Sequence, residues 1–169
     1  MISVEDRGFI FGDGIYEVLR VIDGRIFEWG AHAERLAYGL RELRISPLGT
    51  ESLQSVCERL IAENELANGE ATIYIQVSRG AAPRTHHFPP GGSTSTVYAS
   101  ASRFVPNQEM RRNGAKGITY PDQRWARCDI KTVNLLGPVL ARQAAAEAGA
   151  YEAILHRDGM VTEGAATTC

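Results

Sequence analysis

Cysteine, surplus charge and long apolar runs are all scarce in this chain, and each scarcity removes a class of function. The three cysteines, Cys57, Cys128 and Cys169, are odd in number, widely spaced and without a CxxC pair. That pattern argues against a disulfide framework and against a zinc site, and makes a reducing cytoplasm the expected location. Eighteen Lys and Arg stand against 20 Asp and Glu, for a net charge of −2. Such a balance creates no field that would draw in nucleic acid or an anionic membrane, so a small molecule is the expected partner. No apolar stretch approaches the length of a membrane span, and the start, MISVEDRGFIFGDG, has acidic residues and glycines where a signal peptide needs an apolar core. Repeats and low-complexity tracts are absent. The Gly-Asp-Gly at 12–14 lacks the spacing of a P-loop or a dinucleotide fingerprint.

What is present is an ordinary globular composition: 169 residues, 44% hydrophobic and 22% charged, enough for one domain of usual size or two small ones. Residues 15–28, IYEVLRVIDGRIFE, hold two apolar-rich segments around Asp23-Gly24, a dipeptide suited to the positive φ angles of a tight hairpin. Leu36, Leu40 and Leu43 recur at helical spacing, as do Leu53, Val56, Cys57, Leu60 and Ile61, so two amphipathic helices follow. Thr50 is the expected cap of the second, and Asn68-Gly69 a turn beyond its end. The alternation in ATIYIQVSR and the run 95–103 predict strands, separated by GAAPRTHHFPPGGST, whose prolines and glycines exclude helix and central strand. Residues 104–116 read as a polar linker. A second unit then begins with a short segment near 117–120, a basic-aromatic stretch QRWARCDIK, a helix over about 134–148 stopped by Gly149, and a closing hairpin of YEAILH and MVTE.

Few residues invite chemistry. Lys131, in CDIKTVNLLG, has unusually apolar neighbours for a lysine and is expected to be half-buried. A desolvated amine near other cations, here Arg124 and Arg127, loses its proton more readily and becomes a nucleophile toward a carbonyl. Arg84 and His86, two apart in the Pro/Gly loop, read either as solvated loop residues or as an anion site, since guanidinium and imidazole together offer several donors to a carboxylate. His87 beside them lacks the partners of a metal site. Tyr16, Glu17 and Glu163 complete the set: a strand tyrosine is usually core or interface, and a strand-end glutamate is usually exposed.

Taken together and in order, EDRGFIFGDGIYEV, HAERL, SRGAAPRTHHFP, RWARCDIKTVNLLGPVLARQ and YEAILHRDGMVTEG resemble the D-amino acid aminotransferases of the fold-type IV pyridoxal-phosphate family, over residues 5 to about 164. The resemblance implies a mixed α/β fold in two domains: a small one over 1–105, a linker over 106–116, and over 117–169 the first part of a larger domain, with pyridoxal 5'-phosphate between them. It implies that Lys131 carries the cofactor covalently and shuttles protons, that Glu163 hydrogen-bonds the pyridine nitrogen, and that Arg35 contacts the phosphate. Tyr16, Arg84 and His86 correspond to the residues that grip the substrate carboxylate, the latter two reaching in from the second subunit of a homodimer. The implied reaction is transfer of an amino group between a D-amino acid such as D-alanine and a 2-oxo acid such as 2-oxoglutarate. Relatives begin earlier and continue well past residue 169, and they usually place serines where this chain has Ala165 and Ala166, with Thr167 the next hydroxyl. The competing readings are a truncated, catalytically silent piece that only folds or dimerises, and a relative such as a branched-chain aminotransferase or aminodeoxychorismate lyase.

Overall fold

The computed structural model describes residues 1–167; Thr168 and Cys169, the last of the three cysteines, lie outside the described residues. The chain divides into two compact units, Met1–Pro106 with Asp129–Val133, and Asn107–Cys128 with the residues from Asn134 onward. The segment around Lys131 thus groups with the first unit, whereas the sequence reading has it in the second.

The first unit opens with a one-turn helix α1 (Arg7–Phe11), capped by the Asp6 carboxylate and closed by Gly12 in the left-handed region. Strand β1 (Gly14–Ile22) then turns through Asp23 and Gly24, both at positive φ, into the short β2 (Arg25–Ile26), which is the hairpin its sequence predicts. Helices α2 (Trp29–Glu42) and α3 (Thr50–Glu63) follow. Thr50 is the first helical residue, with Gly49 at the cap and no side-chain capping bond, so the expected Thr50 cap does not form. Strands β3 (Glu70–Ser78) and β4 (Thr96–Arg103) complete an antiparallel sheet of order β2-β1-β3-β4.

Period-two alternation decides which face of this sheet is covered. Ile15, Leu19 and Val21 of β1 and Ala71, Ile73, Ile75 and Val77 of β3 point inward, against Leu36 and Leu40 of α2 and Leu53, Cys57 and Ile61 of α3. Gly39 lets α2 approach closely: a Cβ there would stand 3.1 Å from Ile15 Cδ1. Burial pushes the Cys57 thiol up to about 11. Between β3 and β4 the Pro/Gly segment stays irregular, leaving the sheet through Gly80 at φ 92°, where a Cβ would collide with the Thr94 carbonyl.

In the second unit, part of the expected linker is the helix α4 (Gln108–Asn113), capped by the Asn107 side chain. Strand β5 (Gly117–Pro121) pairs in parallel with β6 (Glu152–Arg157), which pairs antiparallel with β7 (Met160–Gly164). Helix α5 (Leu136–Glu147) packs Ala141 and Ala145 on Ala153 and Leu155. Gly149, at φ 62°, follows its last turn as the stop expected from sequence. Among the described residues no helix is long and apolar enough to cross a membrane.

Candidate active site

Lys131 is held by its backbone. Its carbonyl accepts from Tyr16 N at 3.0 Å, and two residues on Val133 N donates to Gly14 O at 3.1 Å, so the segment clips onto the start of β1. Ile130 and Thr132 are buried on either side, and Lys131 between them is half-buried, as its apolar neighbours predict. Its ammonium lies 4.4 Å from the centre of the Tyr16 ring. Lys131 and Tyr16, 115 positions apart in sequence, are thus in direct contact.

Tyr16 belongs to the face of the sheet that the helices do not cover. It stacks on Tyr74 at 5.7 Å, and Tyr74 meets Tyr98 at 6.2 Å, one aromatic from each of β1, β3 and β4. Burial, and then the neighbouring Tyr16 and Tyr98, raise the pKa of the Tyr74 phenol, whose hydroxyl donates to Gln76 Oε1 at 2.7 Å. A cavity opens on this face between Gln76, Tyr98 and Val133.

One residue further on, Glu17 points the other way and is 1% exposed among the core side chains. The expectation that a strand glutamate is exposed fails here because alternation turns it inward and α2 brings it partners. Arg35 Nε and Nη2 both donate to it at 2.6 Å, a two-pronged charge-assisted pair, and His32 Nδ1 lies 2.8 Å from Oε2. Arg35, matched by resemblance to a phosphate contact, therefore has its guanidinium fixed by Glu17 while its side chain remains 47% exposed.

Arg84 and His86 occupy the loop between β3 and β4 and rest on a single ring, that of Phe11. The Arg84 guanidinium carbon is 5.4 Å and the His86 ring 5.5 Å from its centre, and Arg7 lies 4.7 Å from the same point. Arg7 Nη1 donates to the Thr85 carbonyl between them at 2.6 Å, and Arg7 Nε to Asp13 at 2.8 Å. Asp13 also takes two bonds from the buried Arg79. Burial would raise the Asp13 carboxyl, but the hydrogen bonds from Arg79 and Arg7 outweigh it and hold it below its ordinary value. Among the described residues no hydrogen bond, ion pair or ring contact joins Arg84 or His86 to Tyr16 or Lys131.

In the second unit Glu163 accepts from Arg124 Nη1. Asp122, its side chain 1% exposed, grips Arg124 through Nε at 3.0 Å, Nη2 at 2.9 Å and the backbone N–H at 3.0 Å. The Thr162 hydroxyl donates to Asp122 at 2.8 Å, from the irregularity that shifts the register of β6 and β7. Such an extra residue re-aims side chains, and here it sends Thr162 and Glu163 to the two members of one ion pair. The hydrogen bond from Arg124 holds the Asp122 carboxyl well below the usual carboxylate range, and Asp122 in turn raises Arg124. Arg124, read from sequence as part of a positive field for Lys131, is instead committed to Asp122 and Glu163.

Sequence reasoning missed Phe11, Arg7, Asp13 and His32 as supports of these side chains, and it singled out Glu17 only as an exposed glutamate; the alternation that turns Ile15 and Leu19 inward is the signal that would have placed Glu17 with them.

Comparison with known proteins places this arrangement. Residues 14–169 match the amino-transferase class IV family. The chain is 44% identical over 167 residues to a D-alanine aminotransferase of Staphylococcus epidermidis, covering 98% of this chain and 58% of that protein. To a D-alanine aminotransferase of Listeria innocua it is 42% identical over 165 residues, 96% of this chain and 56% of the relative. The chain therefore spans a little over half the length of these curated relatives. Among solved structures, a hypothetical aminotransferase from Mycobacterium tuberculosis in its alpha-ketoglutarate and PMP bound form superposes with a TM-score of 0.80 at 26% identity, over 98% of this chain and 60% of that one. The Escherichia coli branched-chain amino acid aminotransferase shares the fold at a TM-score of 0.85 and 22% identity, over 98% and 58% of the two chains. With the family matched over all but its first 13 residues, this chain belongs to the amino-transferase class IV family.

Proposed function

We propose that this chain carries the lysine-bearing part of a pyridoxal-phosphate-dependent aminotransferase, one that exchanges an amino group between a D-amino acid such as D-alanine and a 2-oxo acid such as 2-oxoglutarate. The observation that carries this reading is Lys131: a half-buried lysine whose own carbonyl and whose second neighbour, Val133, are hydrogen-bonded to the start of β1, and whose ammonium is set against Tyr16.

The donor set fits the cofactor chemically. Lys131 would offer an amine for its aldehyde carbon, Glu163, which here accepts from Arg124, a carboxylate for the ring nitrogen, and Arg35, paired with Glu17 yet 47% exposed, a permanent cation for the phosphate. When bound, the cofactor would supply an electron-accepting ring. The protein's own work is proton handling and orientation. Lys131 Nζ takes the proton from the substrate Cα and returns it on the other side of the exchange, as general base and then general acid. The Tyr16 ring beside Nζ restricts the directions from which that amine acts. Arg84 and His86 grip the substrate carboxylate, and in a homodimer they serve the neighbouring subunit's site. Holding the carboxylate on one side leaves the Cα hydrogen toward the lysine for one enantiomer only.

Two relatives above 40% identity are D-alanine aminotransferases, which favours D-amino acids over the branched-chain substrates of structural neighbours that share only the fold. The test is to add pyridoxal 5'-phosphate, reduce with borohydride and map the label. The sequence has two lysines, Lys116 and Lys131, and Lys116 is exposed, with its ammonium on the Ala148 carbonyl, so the map is unambiguous. Label at Lys131, absent from Lys131→Ala, is the expected result. Label confined to Lys116, or no stable adduct, rules the reading out for this chain. Turnover with D-alanine and not L-alanine as donor then decides the stereochemical part.

A further inference from the structure

Arg84 and His86 lie exposed in a loop without helix or strand, a setting in which long side chains ordinarily keep their rotamer freedom. Here they do not stand free. Both rest on Phe11, at 5.4 Å and 5.5 Å from its ring centre, and the carbonyl of Thr85 between them is tied down by Arg7 at 2.6 Å. Arg7 is 3% exposed, stacks on the same ring at 4.7 Å, and is anchored through Asp13. Asp13 is shared with Arg79, which closes the base of the loop where β3 ends. Phe11 itself is the last residue of α1, whose ends are set by the Asp6 cap and by Gly12. One short helix therefore fixes the loop at three points: both side chains and the backbone between them.

We propose that Phe11 and Arg7 are positioning residues for the carboxylate grip, the ring setting the spacing of the Arg84 guanidinium and the His86 imidazole, and Arg7 locking the peptide that joins them. This rests on the reading of Arg84 and His86 as the residues that receive a substrate carboxylate. The physical advantage is preorganisation: two donors held at one separation bind a two-oxygen anion without first losing rotamer freedom, so the affinity resides in the platform as much as in the donors. Neither Phe11 nor Arg7 touches the anion. A ring of the same shape preserves the platform, and an aliphatic side chain of similar bulk does not, because it lacks the face that attracts a guanidinium.

The test is a pyruvate titration followed by NMR on the His86 imidazole, in the full chain and in Phe11→Leu, Phe11→Tyr and Arg84→Ala. Phe11 is only half-buried and outside the core cluster, so these variants are expected to fold, which their thermal midpoints check. In the unmodified chain the His86 resonances carry a ring-current shift from Phe11 and move saturably with pyruvate. Phe11→Leu loses that shift and weakens the pyruvate Kd about tenfold, Phe11→Tyr restores both, and Arg84→Ala loses the pyruvate response while keeping the ring-current shift. A Phe11→Leu chain whose His86 shift and pyruvate response match the unmodified protein overturns the proposal. If that happens while Arg84→Ala still abolishes binding, the platform alone fails. If Arg84→Ala leaves the pyruvate response unchanged, or the unmodified chain has none, the carboxylate reading of the loop fails with it.

Discussion

A single carboxylate, Glu17, shows how position in a strand overrides the usual habits of a residue type. With its side chain 2% exposed it is costly to leave without partners, whereas Arg35, at 47%, reaches water easily. The pair is therefore asymmetric. Arg35→Ala strands a buried anion with only His32 beside it and is expected to cost about 2–3 kcal/mol. Removing both charges, in Glu17→Leu with Arg35→Ala, takes away the burial penalty together with the bond, so the double variant should be more stable than Arg35→Ala alone. Urea unfolding midpoints of the two variants decide it, and a double variant less stable than the single one would contradict the account. The inward register of Glu17 could be read from the alternation around it. Its partners could not, because His32 and Arg35 are 15 and 18 positions away and meet it only when α2 packs on β1.

Elements were the most legible level, since hairpin, helices and strands each follow from local periodicity and turn residues. Two local signals misled. Thr50 is helical rather than capping, and residues 107–113, polar enough to suggest a linker, are ordered as α4 by the Asn107 cap. Helix α2 offers a test of propensity against packing. Gly30 sits free in its first turn, where an added Cβ would meet no atom within 4 Å, while Gly39 faces Ile15 at 3.1 Å. Alanine at either position gains helix propensity of about 0.5–1 kcal/mol. At Gly30 nothing opposes that gain. At Gly39 the methyl must displace Ile15, which is 1% exposed and has no room to yield; overpacking of this kind costs about 1–3 kcal/mol. Thermal melts should show Gly30→Ala stabilised and Gly39→Ala destabilised, and equal shifts in one direction would refute the packing argument.

At the scale of the whole molecule each unit contains a carboxylate held in its charged form by arginine: the partly buried Asp13 in the first, and Asp122, its side chain buried, in the second. Both lie below their ordinary value of 3.8 when folded, so on acidification the unfolded chain takes up these protons first. Their contribution is complete above about pH 4 and is lost as pH falls further. Urea midpoints measured from about pH 5 to about pH 2 should therefore fall, and Asp122→Asn should flatten that decline for the second unit; an unchanged slope would show that the Asp122–Arg124 pair contributes nothing to it. By itself the sequence determined most of the elements (though not α1 or α4), the mixed α/β class and the candidacy of Lys131, Glu163 and the Arg84–His86 pair, because periodicity, turn chemistry and ordered motifs are local properties of a chain. Only the tertiary structure decided what each of those side chains touches: Lys131 on Tyr16, Arg35 on Glu17, Glu163 on Arg124, Arg84 and His86 on Phe11. Those contacts join residues far apart in sequence, and side-chain hydrogen bonds and ring contacts form only after strands have paired and helices have packed.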